Sequence, residues 1–155
     1  MAGDHKLGAW GAWGAWVLEV PIVVYKRRVQ FAETDAAGMA HFSVFFRYME
    51  EAEHAAWRAA GLDIFEKHET VSWPRISAKF DFKAPLKFQD EFEVRTEMGA
   101  VTRSTIQWAH VLMRGDTIIG SGTVTAVCVA KNPDGTIKSA PIPEEIISKL
   151  RSTLS

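Results

Sequence analysis

Cysteine is almost absent. Cys128 is the only one in 155 residues, so no internal disulfide framework stabilises the chain. It lies in the apolar run Val124–Ala130 and is expected to be a buried strand residue. Charge of one sign is also lacking: 18 Lys and Arg face 19 Asp and Glu, a formal net charge of -1. That balance excludes bulk attraction to nucleic acid or to an anionic membrane surface. No apolar run approaches the roughly 20 residues that span a bilayer. The N-terminus has no charged, then apolar, then small-residue order of the secretory kind. These absences predict a cytoplasmic protein without nucleic-acid or membrane partners. His5, His54, His68 and His110 have no partner spacing that reads as a metal site, and there is no His-Glu-x-x-His. No Gly-x-Gly-x-x-Gly or phosphate loop occurs, so neither a metal nor a cofactor is expected.

The apolar content of 47% fits one ordinary domain with a real core. Residues 8–16 repeat Gly-Ala-Trp three times. This stretch has no charge and no period that binds it to the rest. Residues 1–17 are therefore set apart as a low-complexity extension, and residues 18–155 as a single domain.

Residues 20–31 read as a strand, with β-prone Ile22–Tyr25 leading into alternation. Residues 33–40 read as a loop around Ala36-Ala37-Gly38. The strongest helix is predicted over 42–60. Phe42, Phe45, Met49, Ala52, Ala56 and Ala59 form one face, and Arg47, Glu50, Glu51, His54 and Arg58 the other. Gly61 stands where a glycine ends a helix. Residues 62–68 read as a short helix or turn. Beyond them, Ile76–Lys83 and Glu91–Met98 alternate as strands, and Thr105–Met113 does so less cleanly. A tight turn is expected at Arg114-Gly115-Asp116. Residues 117–131 read as one long strand in which Gly120 and Gly122 mark a bulge or close packing. Asn132–Gly135 is a turn, and Pro143 opens a final helix over 144–150. The order predicts an α+β domain: a long helix covering one face of a curved antiparallel sheet of about five strands. Free strand edges and a half-covered sheet predict an oligomer.

Chemistry concentrates between residues 31 and 54. Asp35 sits at a strand–loop–helix junction. It reads either as an Asx-turn residue or as a carboxylate that serves as nucleophile or general base. Gly38 is expected to need positive φ and to let a substrate carbonyl approach the backbone. The N–H groups near His41, Phe42 and Ser43 lack intrahelical partners and can polarise a carbonyl oxygen. Ser43 reads equally as a plain N-cap. His41 is a candidate to orient the carboxylate, bind substrate or cap the loop. Glu50, Glu51 and Glu53 read as a solvated helix face, or as one acid turned into a subunit interface. Phe45, Phe46, Met49, Trp73 and Phe80 are candidate pocket residues and equally ordinary core.

The run from Thr34 to Ala52, Thr-Asp-Ala-Ala-Gly-Met-Ala-His-Phe-Ser-Val-Phe-Phe-Arg-Tyr-Met-Glu-Glu-Ala, resembles the signature of the hot-dog-fold acyl-CoA thioesterases of the 4-hydroxybenzoyl-CoA thioesterase type. The later Phe82–Phe92 stretch, with Pro85-Leu86 and then Asp90, is similar to that family's strand start. The resemblance spans about residues 23–131. It implies a helix wrapped by the sheet, a homodimer or homotetramer, and active sites at the dimer interface. It further implies hydrolysis of a small or medium acyl-CoA to free acid and coenzyme A. Asp35 would be the catalytic carboxylate, His41 part of the active-site segment, and Gly38, Phe42 and Ser43 the backbone around the oxyanion. Arg103 would stand near the coenzyme A phosphates, and Phe45 and Glu51, from the reading of the residues themselves, are the other candidates for substrate contact. The chain departs from the family where His41 stands one position early and where Val44 replaces an Asn. An acyl-thioester dehydratase or hydratase, or a non-catalytic acyl-binding protein on the same fold, is the alternative reading.

Overall fold

A computed structural model describes residues 23–65 and 70–154. The Gly-Ala-Trp repeats, the start of the first expected strand and residues 66–69 lie outside the described residues. The elements are β1 (Val23–Arg28), α1 (Val44–Ala59), β2 (Val71–Ser72), β3 (Arg75–Phe82), β4 (Glu91–Val101), β5 (Thr105–Arg114), β6 (Thr117–Val127), β7 (Val129–Lys131), β8 (Ile137–Ser139) and α2 (Glu144–Leu154). Five strands form one antiparallel sheet in the order β1-β4-β5-β6-β3. The meander expected from the short loops holds for β4, β5 and β6. β3 does not join its sequence neighbour β4 but pairs with β6 on the far edge.

α1 lies along this sheet. It buries Phe45, Tyr48, Met49, Ala52, Glu53, Ala56 and Trp57, a stripe stepping by threes and fours. Phe42, 64% exposed, and Ala59 are outside that stripe, so the helix is shorter than predicted and turned toward Tyr48, Glu53 and Trp57. Its first half packs with Phe80, Phe92, Val94, Leu112 and Ile119. Its second half packs with Ile106, Trp108, Cys128 and the apolar face of α2. Gly61 has φ +75, the left-handed conformation in which helices commonly end.

The expected single strand over 117–131 is in fact two. At Cys128 the chain leaves the main sheet. The Cys128 N–H bonds Ser104 O at 2.6 Å and its carbonyl accepts the Ala140 N–H at 2.9 Å. β7 then pairs with β2 and β8 in a separate three-stranded sheet. The turn 132–135 joins β7 to β8, a strand the alternation did not reveal. Cys128 itself is buried as expected.

The two β6 glycines serve close packing. A Cβ on Gly120 would stand 2.6 Å from the Phe80 ring, and one on Gly122 would overlap Lys79 O and lie 2.6 Å from Met49 Sδ. Bare backbone here lets Phe80 and Met49 lie flat between helix and sheet. Gly122→Val is expected to cost about 1–3 kcal/mol through overpacking, read from urea-unfolding midpoints. A variant within about 0.5 kcal/mol of wild type, the usual range for harmless surface changes, would show that this strand has room to spare.

Candidate active site

Residues 34–40 form a small hairpin. Thr34 and Ala40 make an isolated antiparallel bridge, and Met39 makes another with Lys87. The Asp35 N–H bonds Met39 O at 2.8 Å, and the Gly38 N–H bonds Asp35 O at 3.0 Å. Gly38 has φ +77, as expected of a glycine at a turn. Asp35 Oδ1 accepts the Ala37 and Met39 N–H groups at 2.9 and 3.2 Å. The Asx-turn reading is therefore fulfilled by one oxygen, and among the described residues Oδ2 makes no such bond.

The chain then turns into α1. The His41 N–H bonds Glu33 O at 2.8 Å, and His41 O accepts the Val44 N–H at 3.0 Å. His41 Nδ1 lies 2.8 Å from Ser43 Oγ and also accepts the Ser43 N–H at 3.3 Å. Ser43 occupies the cap position without making a side-chain cap bond; its hydroxyl is held by His41 instead. Among the described residues the Phe42 N–H has no hydrogen-bond partner. The approach to α1 thus offers an unpartnered amide, on the largely exposed Phe42, just before the positive end of a helix of 16 residues.

Beneath this loop lies an ionic network that the sequence reading missed. Arg27 forks onto both oxygens of Glu33 at 2.9 and 2.6 Å and onto Glu51 at 2.9 and 3.2 Å. Glu33 also accepts the Gln30 N–H at 2.8 Å and the Tyr48 hydroxyl at 3.1 Å. Tyr25 donates to Glu51 at 3.0 Å. Burial works to raise the Glu33 pKa, but Arg27, Gln30 and Tyr48 together hold it below the ordinary carboxylate value. Glu51, expected to contact substrate, is thus committed to Arg27 and Tyr25. Phe45 is 3% exposed and packs on Phe80 and Phe82 at ring distances of 5.0 and 5.1 Å. Arg103 stands exposed at the β4–β5 turn.

A second buried acid overturns the reading of Glu53 as solvated. Glu53 is 2% exposed and ion-paired with Arg75. Burial is the main cause that pushes its pKa up to about 7; Arg75 opposes the shift and Glu50 adds to it. Opposite it on β5, His110 is 1% exposed and shares a 2.8 Å hydrogen bond between Nδ1 and Thr96 Oγ1. Burial pushes the His110 pKa down to about 3. The spacing of Glu53, four residues after Met49 and eight after Phe45, was the available signal. Among the described residues no cluster of His, Cys, Asp or Glu could hold a metal ion, and no helix is long and apolar enough to cross a membrane.

The sequence pattern of the thioesterase-like superfamily matches residues 29–150. A relative from Aquifex aeolicus, to which only a general esterase activity is ascribed, is 33% identical over 83% of this chain and 97% of its own length. A 1,4-dihydroxy-2-naphthoyl-CoA hydrolase from Acaryochloris marina is 30% identical over 81% of this chain and 93% of its own. The crystal structure of a gentisyl-coenzyme A thioesterase aligns at 28% identity with a TM-score of 0.73, covering 83% of this chain and 99% of that one. The chain belongs to the thioesterase-like superfamily and has the hot-dog fold. Within that class it is a thioester hydrolase.

The two buried groups give stability opposite pH slopes. Glu53 has a folded pKa of about 7, above its unfolded value, so its contribution is fully present at low pH and is lost as pH rises toward 7. His110 has a folded pKa of about 3, below its unfolded value, so its contribution is present above about pH 6.5 and is lost on acidification. Between about pH 5 and 6.5 the two slopes nearly cancel, each at most about 1.4 kcal/mol per pH unit. Glu53→Gln should therefore lose stability on acidification across this window, where wild type stays nearly flat. Urea titrations at several pH values check this, and parallel slopes for the two proteins would contradict it.

Proposed function

We propose that this protein hydrolyses the thioester of an aromatic acyl-coenzyme A and that Asp35 is its catalytic carboxylate. The observation that carries this reading is Asp35 itself. One carboxylate oxygen is fixed by two loop N–H groups, which leaves the other to act, and the loop leads directly to the unpartnered Phe42 amide. The aromatic acyl class is supported by the activities named for the Acaryochloris marina relative and for the gentisyl-coenzyme A thioesterase.

In this mechanism the substrate carbonyl oxygen accepts the Phe42 N–H, where negative charge develops. Asp35 removes a proton from water as the water oxygen bonds to the carbonyl carbon, or attacks that carbon itself and is then freed by water. Either way the carbon–sulfur bond breaks. Coenzyme A leaves as a thiolate, takes up the proton, and the free acid departs. A thiolate is a good leaving group, so no strong general acid is required. His41 and Ser43 hold the shape of the turn that presents the amide, and Gly38 gives the carbonyl room. Phe45 forms the floor beneath the turn. Glu51 acts through Arg27 on loop position, and Arg103 is placed to meet coenzyme A phosphates.

The active assembly in this reading is a homodimer through β3. Among the described residues β3 pairs on one side only, and its eight residues carry exposed Ile76 and Phe82, 61% and 49% exposed. An edge of that length and apolarity is a template for another strand. Both edge strands carry exposed charges, Lys26 and Arg28 on β1 and Lys79 and Asp81 on β3, so the choice of β3 rests on its exposed Ile76 and Phe82.

Free-thiol release from a panel of aromatic and aliphatic acyl-CoAs tests the activity. Asp35→Asn keeps an oxygen for the Ala37 and Met39 N–H groups, so the loop should fold. Its kcat should fall on the order of 10²–10⁴-fold with an unchanged melting temperature. Near-normal turnover by this variant would sink the assigned role of Asp35.

A further inference from the structure

The mechanism leaves the Glu53–His110 region unused. Glu53 Oε1 and His110 Nε2 are buried and have no protein partner. Both residues line one cavity of about 130 Å³, with Phe46, Met49, Arg75 and Val124 among its walls. A buried polar atom left unpaired costs about 1–3 kcal/mol. Two such atoms on one small cavity call for a group that donates to the acid and accepts from the imidazole, and a hydroxyl does both. Glu53 Oε2 is already engaged by Arg75, so Oε1 is the acceptor that remains. In the tautomer in which the Thr96 hydroxyl donates to Nδ1 across their 2.8 Å contact, the single proton of neutral His110 resides on Nε2, and this is the tautomer the subsite requires. Phe46, Met49, Ala78 and Val124 form its apolar walls while Glu50 and Arg75 add charge, and the volume is close to the roughly 150 Å³ of an engineered cavity that takes up benzene.

We propose that this cavity is the acyl subsite for a hydroxyl-bearing aromatic ring, whose hydroxyl donates to Glu53 Oε1 and accepts from His110 Nε2. The assignment rests on the thioesterase reading and on the β3 dimer. Within one protomer the distance is too great. Nine residues of helix separate Val44 from Glu53, roughly 14 Å, and a single aromatic ring does not bridge that span from a carbonyl held at Phe42. Across the dimer the geometry closes. α1 and β3 run antiparallel, since Phe45 touches Phe82 at one end while Glu53 meets Arg75 at the other. Antiparallel pairing of β3 with its own copy brings the partner's Phe82 end, and with it the partner's Asp35 loop, beside the Arg75 end of this cavity. The thioester would be cleaved by one protomer while the other reads the ring.

The test compares kcat/KM for benzoyl-CoA with that for 2-, 3- and 4-hydroxybenzoyl-CoA, in wild type, His110→Leu and Thr96→Val. Wild type should favour its best hydroxylated substrate over benzoyl-CoA by on the order of tenfold or more, since the unhydroxylated ring leaves both polar atoms unpaired. His110→Leu should bring that ratio toward one. Thr96→Val, which leaves the cavity wall intact and frees the imidazole tautomer, should lower it partway. Equal use of all four substrates by wild type, or an unchanged ratio in both folded variants, overturns the subsite while leaving the thioesterase reading in place. Should no thioester be cleaved at all, the reading of function fails separately. Phenol then serves as the probe: a rise in wild-type melting temperature that His110→Leu lacks supports the subsite, and no rise overturns it.

Discussion

The guanidinium of Arg27 is the point on which the reactive end of the molecule depends. It lies largely out of solvent, 17% exposed, against a Glu33 side chain that is 7% exposed. A buried charge without partners is untenable, and removal of one member of such a cluster typically costs about 3–5 kcal/mol. The cluster therefore fixes geometry as well as stabilising. Arg27 comes from β1, Glu33 from the turn that follows it, and Glu51 and Tyr48 from α1. Satisfying all of them at once sets the distance between the strand end and the helix. The segment from Thr34 to Ser43 has to span that fixed gap, and the small Asp35–Met39 hairpin is the form it takes. Glu33 is bonded both through its side chain to Arg27 and through its carbonyl to the His41 N–H, so it anchors the loop at both ends.

The rest of the fold supplies a rigid bed for this arrangement. α1 rests on aromatic rings in its first half and on tryptophans and α2 in its second. Phe80 lies on the bare backbone of Gly120 and Gly122, and this lets the helix sit low on the sheet. Trp57 and Trp73 meet edge to face at 5.4 Å. A helix held so tightly along its length keeps its first amides in a constant orientation, as a preorganised oxyanion donor requires.

Much of this was legible in the sequence because local signals and tertiary packing agree. α1 was found from its apolar spacing and from Gly61. The Arg114–Asp116 turn and the final helix behind Pro143 were found from turn and cap chemistry. The junction around Asp35 and Gly38 was visible as a break between two periodic segments. Other features had no local signature. The run Val124–Ala130 is apolar but for Thr125, and nothing in it marks the departure from the main sheet at Cys128; that break is set by bonds to Ser104 and Ala140, distant in sequence. The exchange of neighbours that places β3 beside β6 is likewise a property of topology. No local pattern singles out Arg27 or Glu33 before the fold brings them together. Glu53 was hidden among Glu50 and Glu51, although its own spacing places it on the buried stripe.

That last miss says something about how the stripe is used. Position 53 faces the interior, where an apolar side chain would satisfy helix packing at no desolvation cost. Position 110, in the middle of β5, is similar. Replacing buried ionisable groups by apolar ones of like size is often neutral or stabilising, so packing alone does not account for an acid and an imidazole here. Glu53 is half compensated by Arg75, and His110 by Thr96, and in each case the uncompensated atom borders the same cavity. The local rule of matching every buried polar atom is broken twice on this one cavity, and the indole N–H groups of Trp57 and Trp73 in the adjoining core are unpaired as well. Breaks of that kind concentrate where a protein meets its ligand. The same helix thus carries two sorts of polarity with different origins. At its start the backbone itself is unsatisfied, as at any helix end. Two and a half turns later the side chains are, and only a choice of residues at positions 53 and 110 makes them so.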